Sequence, residues 1–323
     1  MRLIRGLHNL RPEDRGCVAT IGNFDGVHLG HRAVFQRLLL RGRALGLPAT
    51  VITFEPQPLE FFAPERTPAR LTRLREKLKA IADCGIARVM VLEFGPRLAA
   101  VPAGDFVRRL LLEGLGVRYL LVGDDFRFGQ GRTGDYALLR AMGAAAGAAG
   151  FAVEDQHTVT QGDERISSTR VREALARGDL EQARHLLGRP YRMRGRVGYG
   201  DQRGRTIGFP TANLDLHRRV SPLLGVFAVQ VHGLPTGPHP GVANIGTRPT
   251  VGGQGCRLEV HLFDFDQDLY GRHLEVEFRL KLRDEQRFDS FEDLRRQIAR
   301  DATAAREFLG RAGAAAAGAP SDL

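Results

Sequence analysis

The sequence has no stretch approaching the roughly 18 uninterrupted apolar residues that a membrane span needs. Its first residues, Met1-Arg2-Leu3-Ile4-Arg5, carry charges with no apolar segment after them, so no secretory leader is expected. Cysteine is scarce. Cys17, Cys84 and Cys256 are odd in number, far apart and form no CxxC pair, which fits a reducing cytoplasm and argues against a cysteine zinc site. There is no internal repeat and no dense basic run with interleaved aromatics. The formal net charge of +10 is spread along the chain as arginine. That pattern reads as a solvated surface able to attract small polyanions such as nucleotides, and it makes a nucleic-acid or membrane partner unexpected.

What is present is the composition of a globular chain, 43% apolar and 7% aromatic. At 323 residues the length prior is two domains, each long enough to bury its own core. In the first half, short apolar runs at Val18–Ile21, Thr50–Phe54, Val89–Leu92 and Tyr119–Val122 predict buried parallel strands, with Phe151–Val153 as a fifth. Helical patterns lie between them, including Leu71, Leu74, Leu78 and Ile81. Such alternation predicts an open α/β sheet with its ligand site beyond the carboxyl ends of the strands.

Gly188-Arg189-Pro190 is a breaker cluster, and the pattern changes after it. Val226–Val231, Leu258–Phe263 and Leu274–Leu282 read as antiparallel strands of a small β-barrel. In the last of these, Val276, Phe278, Leu280 and Leu282 are expected on one face, with Glu277, Arg279 and Lys281 on the other. Ser290 and Asp293 predict a helix start, followed by an apolar stripe of Phe291, Leu294, Ile298, Ala305 and Phe308. The expected fold is therefore α/β plus β. Residues 1–187 and 188–312 are the expected domains, and residues 313–323 an expected disordered tail.

The strongest local signal is Gly22-Asn23-Phe24-Asp25-Gly26-Val27-His28-Leu29-Gly30-His31, between the first predicted strand and a helical stretch. Glycines let the backbone approach a ligand, and a helix N-terminus suits phosphate. His28 and His31, three apart, can both donate to charge developing on one phosphate. Gly22, Phe24, Asp25 and Gly30 complete the candidate ATP loop. A metal reading is weaker, since the segment offers no obvious third ligand beyond Asp25. Ser168 and Thr169 open a predicted helix with Arg172 one turn on, so they suit both a helix cap and the β- and γ-phosphates. Asp124 and Asp125 follow a strand end. They suit magnesium or ribose, or belong to an Asp/Gly-rich turn, and both readings stay open.

In the second half, Gly195–Gly200 and Gly204–Gly208 precede Phe209-Pro210-Thr211-Ala212-Asn213. This is neither a P-loop nor a GxGxxG followed by a helix. Gly200, Gly208 and Thr211 are candidate ATP-binding residues. Thr211 and Asn213, alternate residues of an extended segment, face one side and offer hard oxygen ligands for a magnesium ion shared with ATP.

Strand–HxGH–helix resembles the nucleotidyltransferase superfamily. Thr53-Phe54-Glu55-Pro56-Gln57-Pro58, Gly123–Gly129 and Ile166–Arg172 narrow the resemblance to the adenylyltransferase module of bacterial bifunctional riboflavin kinase/FAD synthetases. Gln57 stands where many relatives carry histidine. Pro-Thr-Ala-Asn, Gly241–Thr250 and Leu258-Glu259-Val260-His261 resemble the flavokinase family. The resemblance covers roughly residues 15 to 310. It implies a Rossmann-like adenylyltransferase domain, then a flavokinase barrel, together converting riboflavin to FMN and FMN to FAD with ATP and releasing pyrophosphate. It implies Glu259 as the kinase base, although the residues alone place Glu259 only on the polar side of a strand. It also implies flavin contacts for Asp124, Asp125 and Phe126, and for Arg283 and Phe288 in a flap over the flavin. Two rivals are an adenylyltransferase for another cofactor precursor, and an RNA- or flavin-binding protein with a vestigial HxGH.

Overall fold

The apolar runs of the first half form parallel strands because helices cover both of their faces. The computed structural model describes residues 1–123, 125–155, 160–161, 164–199, 208–250 and 253–317. Contacts divide the chain into two units, Met1–Pro68 with Thr72–Ser167, and Ala69–Leu71 with Ser168–Leu323. The expected boundary after residue 187 therefore has two helices before it that group with the second unit.

In the first unit, β1 (Arg2–Arg5), β2 (Cys17–Ile21), β3 (Ala49–Glu55), β4 (Arg88–Glu93), β5 (Val117–Val122) and β6 (Ala152–Asp155) make one parallel sheet. The five apolar runs are all strands. The edge strand β1, Arg-Leu-Ile-Arg, has no apolar run to announce it. Val18, Val51, Val89 and Leu121 pack on one face with Val34, Phe35 and Leu38 of α1 (Leu29–Leu45) and Ile81 of α2 (Leu74–Ala82). Burying each such aliphatic or aromatic side chain stabilises by about 1.5–3 kcal/mol. Ala19, Ile52, Met90 and Leu120 pack on the other face with Phe106, Leu110 and Leu139. Leu71 lies before α2, whose N-cap is Arg73, so it is not part of that helical stripe.

The sheet order is β1-β4-β3-β2-β5-β6. The chain runs outward from β2 through β3 and β4, then returns to place β5 on the other side of β2. The direction reverses between β2 and β5, and ligands of open sheets bind beyond the carboxyl ends of strands at such a point. A short ribbon, β7 (Thr160–Gln161) and β8 (Glu164–Arg165), ends this unit.

The second unit opens with α3 (Ser168–Arg177) and α4 (Leu180–Leu187). Then β9 (Arg192–Gly198), β10 (Ala212–Asp215), β11 (Gly225–His232), β12 (His239–Thr250), β13 (Gly253–Leu262) and β14 (His273–Arg283) close an antiparallel barrel in the order β10-β13-β12-β11-β14-β9. Register partners share a face. Leu214, Leu258 and Ile245 are aligned and buried, as are Val260, Ala243 and Phe227. These side chains fill the interior. On the outside, Val226, Ala228, Val242 and Phe263 form a seat for Ala302, Ala305 and Phe308 of α5 (Phe291–Ala317).

Three expectations are corrected here. The alternation along β14 breaks at Arg279, because Phe278 pairs with Val229 while Leu280 pairs with Ala228, so one residue bulges. Phe278 and Leu280 therefore face opposite sides, and Leu280 is exposed. Phe291 is 70% exposed and does not join the stripe that α5 presents to the barrel. The alanine-rich segment expected to fray from Gly313 is helical to Ala317, in keeping with alanine's helix propensity. Residues 318–323 lie outside the described residues.

Helix α5 is also tied down by charge. The Arg283 guanidinium donates to both carboxylate oxygens of Asp301, at 2.8–3.1 Å, and Asp301 is buried. Asp301→Ala would leave that guanidinium without its partner in a largely buried place. The expected loss is about 3 kcal/mol of stability, read as a lower melting temperature of the barrel in calorimetry.

Candidate active sites

The loop after β2 is held in a conformation that side chains disfavour. Phe24 and Val27 have φ of 48° and 44°, and Gly26 has 82°. A β-branched residue at positive φ is strained and persists only where its surroundings impose it. The imposing contacts are polar. Asp25 Oδ1 accepts from Thr72 N at 2.9 Å and from Thr72 Oγ1 at 3.1 Å. Thr72 Oγ1 in turn accepts from Gly26 N at 2.9 Å. Thr53 Oγ1 donates to Asn23 O at 3.3 Å. Asp25 is 3% exposed, and its Oδ1 braces the loop through Thr72. Gly22 and Gly30 make room: a Cβ on Gly22 would come within 3.0 Å of the Phe24 ring, and one on Gly30 within 3.1 Å of the His28 ring.

The brace presents the two histidines together. His28 is the N-cap of α1, and its Nδ1 accepts from His31 N at 3.4 Å. That bond leaves Nε2 of a neutral His28 as its N–H donor. The two imidazoles stack with centroids 3.6 Å apart, and the Phe24 ring meets His31 edge-on at 5.2 Å. His31 Nδ1 is buried with no hydrogen-bond partner among the described residues. Burial first, then the neighbouring His28 and Lys77, hold the His31 imidazole well below its ordinary value of 6.5. His31 is therefore neutral near pH 7 and donates from a single N–H. A ring-resonance titration should show no His31 step between about pH 8 and pH 6, where an unperturbed histidine half-protonates.

Lys77 and Thr72 escaped the sequence reading. The Lys77 side chain on α2 is fully buried, with Nζ 3.5 Å from Thr53 Oγ1. Its distance along the chain from the histidines leaves no local signal. On the other strand of the switch point, Phe126 N donates to Gly123 O in a turn after β5, and the Phe126 ring stacks on Phe128 at 5.4 Å. Asp125 is exposed beside it, and Asp124 lies outside the described residues. Ser168 and Thr169 form the first turn of α3, and Arg172 Nε donates to Ala69 O at 2.6 Å.

The barrel places its polar groups on the outer face. Leu258 and Val260 point inward and are fully buried, so Glu259 between them points out. Its direct register partners are Asn213 on β10 and Asn244 on β12. Thr211 directly precedes β10. Asn213 Nδ2 donates to Thr211 O at 3.4 Å, which turns the amide oxygen the other way. His261, two residues from Glu259, shares its face and donates from Nδ1 to Pro210 O at 2.9 Å. The carbonyl can only accept, so the tautomer is fixed. This bond fastens the Phe-Pro-Thr segment to the strand that carries Glu259. Arg257 also shares the face, with Nη1 3.8 Å from Glu259 Oε1. His261 and Arg257 were readable from the period of two along the strand.

Gly208 has φ of 84° and nothing near its missing Cβ, so a turn requires it. Gly200 lies outside the described residues. Arg283 is committed to Asp301, with the Phe288 ring 5.7 Å from its guanidinium carbon, which makes it a tether of α5 in this arrangement. Among the described residues, no three His, Cys, Asp or Glu side chains converge as a metal site. No helix among them is long and apolar enough to cross a membrane.

A braced histidine pair at the switch point of a parallel sheet, followed by a barrel with a carboxylate between two amides, defines a two-part ATP-dependent transferase. The family model described as FAD synthetase matches residues 10–170, and the one described as riboflavin kinase matches residues 187–309. The chain is 56% identical over 311 residues to the bifunctional riboflavin kinase/FMN adenylyltransferase of Escherichia coli (strain K12), covering 96% of this chain and 98% of that protein. It is 53% identical over 307 residues to the protein of the same name from Pseudomonas fluorescens, covering 95% and 97%. A crystal structure described as a macrolide-efflux protein from Streptococcus pneumoniae shares the fold with a TM-score of 0.78 and 30% identity, over 93% of this chain and 97% of that one. The chain belongs to the bifunctional riboflavin kinase/FMN adenylyltransferase family.

Proposed function

We infer that the chain makes FAD in two ATP-dependent steps, phosphorylating riboflavin to FMN and then adenylylating FMN. The observation that carries the reading is the direct pairing of Asn213 with Glu259 across the barrel, in a chain that also carries the stacked histidine pair. In the kinase step, the Glu259 carboxylate takes the proton of the terminal ribityl hydroxyl, whose oxygen attacks the γ-phosphorus while ADP leaves. Positioning and electrostatics supply most of the acceleration. ATP-dependent transfer in this family uses a divalent cation. We propose magnesium, held by Thr211 Oγ1 and Asn213 Oδ1 with the ATP phosphates; hydroxyl and amide oxygens are the hard donors it prefers. Bound there, it would neutralise developing phosphate charge.

In the adenylyl step, an FMN phosphate oxygen attacks the α-phosphorus of ATP and pyrophosphate leaves. His28 Nε2–H and the His31 imidazole donate to the α-phosphate oxygens as charge builds there. Gly22, Phe24, Asp25 and Gly30 are proposed to shape the ATP cradle. Ser168, Thr169 and Arg172 are proposed for the β- and γ-phosphates, Asp124, Asp125 and Phe126 for the flavin side of this step, and Gly200 and Gly208 for ATP in the kinase. Arg283 and Phe288 would serve as a flavin flap only if riboflavin draws Arg283 away from Asp301. We assign residues 1–187 to adenylyl transfer and 188–312 to the kinase, in line with the two matched ranges. The three free cysteines fit a cytoplasmic location. The test is incubation with riboflavin, ATP and magnesium, with chromatography for products. FMN followed by FAD is expected, and the absence of both would overturn the reading.

A further inference from the structure

Asn244 lies beside Glu259, and the chemistry so far gives it no task. It is the direct register partner of Glu259 on β12, just as Asn213 is on β10, so Asn213, Glu259 and Asn244 stand abreast on the outer face. The orientation of its amide follows from its neighbours. Asn244 Nδ2 donates to Glu285 Oε1 at 3.4 Å. A carboxylate can only accept, so the nitrogen must face Glu285 and the oxygen the other way. Gly246 gives Glu285 its place: a Cβ there would come within 2.1 Å of Oε1.

The amide oxygen left over is anomalous. Asn244 Oδ1 is buried and has no hydrogen-bond partner among the described residues. Buried acceptors in native proteins are almost always paired, because an unmade bond forfeits the water that was given up. An acceptor fixed in place and one strand spacing, roughly 5 Å, from the kinase base is suited to a ligand donor that arrives with the reacting hydroxyl.

We propose that Asn244 is a specificity residue of the kinase, whose Oδ1 accepts a hydrogen bond from a second hydroxyl on the polyol chain that Glu259 deprotonates. The inference rests on the kinase reading above. Asn244 selects an acceptor with adjacent hydroxyls over a simple alcohol. It takes no part in the proton transfer, and its bond is made in the bound substrate and in the transition state alike. Its loss therefore acts on KM and leaves kcat nearly intact.

The test is Asn244→Leu, which is near in volume and has no acceptor, assayed in the full chain with riboflavin and with flavins lacking one secondary ribityl hydroxyl. The expected result is a KM for riboflavin about tenfold higher with kcat within about threefold. Melting temperature should be unchanged or raised, because a buried unpaired group is gone, and FAD formation from supplied FMN should be unchanged. In the native protein one deoxy flavin should show the same rise in KM, with no further rise for that flavin in the variant. A wild-type KM for Asn244→Leu would overturn the proposal, as would a fall in both activities together with melting temperature. If that variant does not fold, the native protein decides alone: equal KM values for riboflavin and every deoxy flavin would overturn the proposal. Failure of the native protein to make FMN would instead sink the kinase reading itself.

Discussion

Glu259→Gln should lower FMN formation from riboflavin by roughly two to four orders of magnitude, the usual worth of a positioned general base. The amide keeps the shape of the carboxylate. Glu259 also stands on the outer face, away from the packed interior made by Leu258 and Val260, so the fold should be indifferent to the change. FAD formation from supplied FMN, proposed to rest on the His28–His31 loop and not on Glu259, serves as the internal control. Thermal melts should superpose on wild type. Near-normal phosphorylation in a well-folded variant would remove Glu259 from the chemistry.

His31→Ala should have the second large effect, on the other reaction. A positioned donor to developing negative charge is worth about 3–4 kcal/mol of barrier, or roughly two to three orders of magnitude in rate. FAD synthesis from FMN should fall by that much, with a smaller change in apparent ATP affinity. Riboflavin phosphorylation should persist, so FMN accumulates. The half-buried ring packs against His28 and Phe24, and its removal forfeits those contacts and lowers stability as well. His31→Gln separates the two effects by refilling much of the space and restoring an N–H. Partial recovery of rate with recovered stability supports the donor role. Recovery of stability together with wild-type rates for both His31→Ala and His31→Gln would refute it.

The parts of these sites that could be read from the sequence are those built by neighbours along the chain. The Gly22–His31 loop and Phe209–Asn213 are local: the first contains its own glycines and the helix cap His28, and the second carries its candidate ligands Thr211 and Asn213 two residues apart. The strands of the parallel sheet were legible because both faces are buried and the runs are continuously apolar. Thr72 and Lys77 meet the loop only through tertiary contacts, and nothing near them in sequence marks those contacts. Glu259 is an intermediate case. The period of two turns it away from Leu258 and Val260, but its register partner Asn213 comes from a distant strand, so only family resemblance pointed to it. The bulge at Arg279 reversed the facing of Leu280, a change that alternation alone cannot signal. The Thr72 brace on Asp25 was hidden for a related reason. A carboxylate in a glycine loop has the same sequence signature whether it meets a ligand or a threonine brace.

The outward placement of the kinase groups separates two kinds of selection along β13. Leu258 and Val260 answer to packing volume, whereas Glu259, on the intervening position, answers to substrate if the proposed kinase role holds. A lineage can therefore drift through volume-conserving changes inside the barrel while its turnover stays fixed, and warm- or cold-adapted forms can share one reactive surface. The freedom ends at the seat of α5, where Val226, Ala228 and Val242 lie on the same outward surface as Asn244 and Glu259. Adaptation of stability and adaptation of substrate preference meet at that border, and compensating pairs of substitutions belong there.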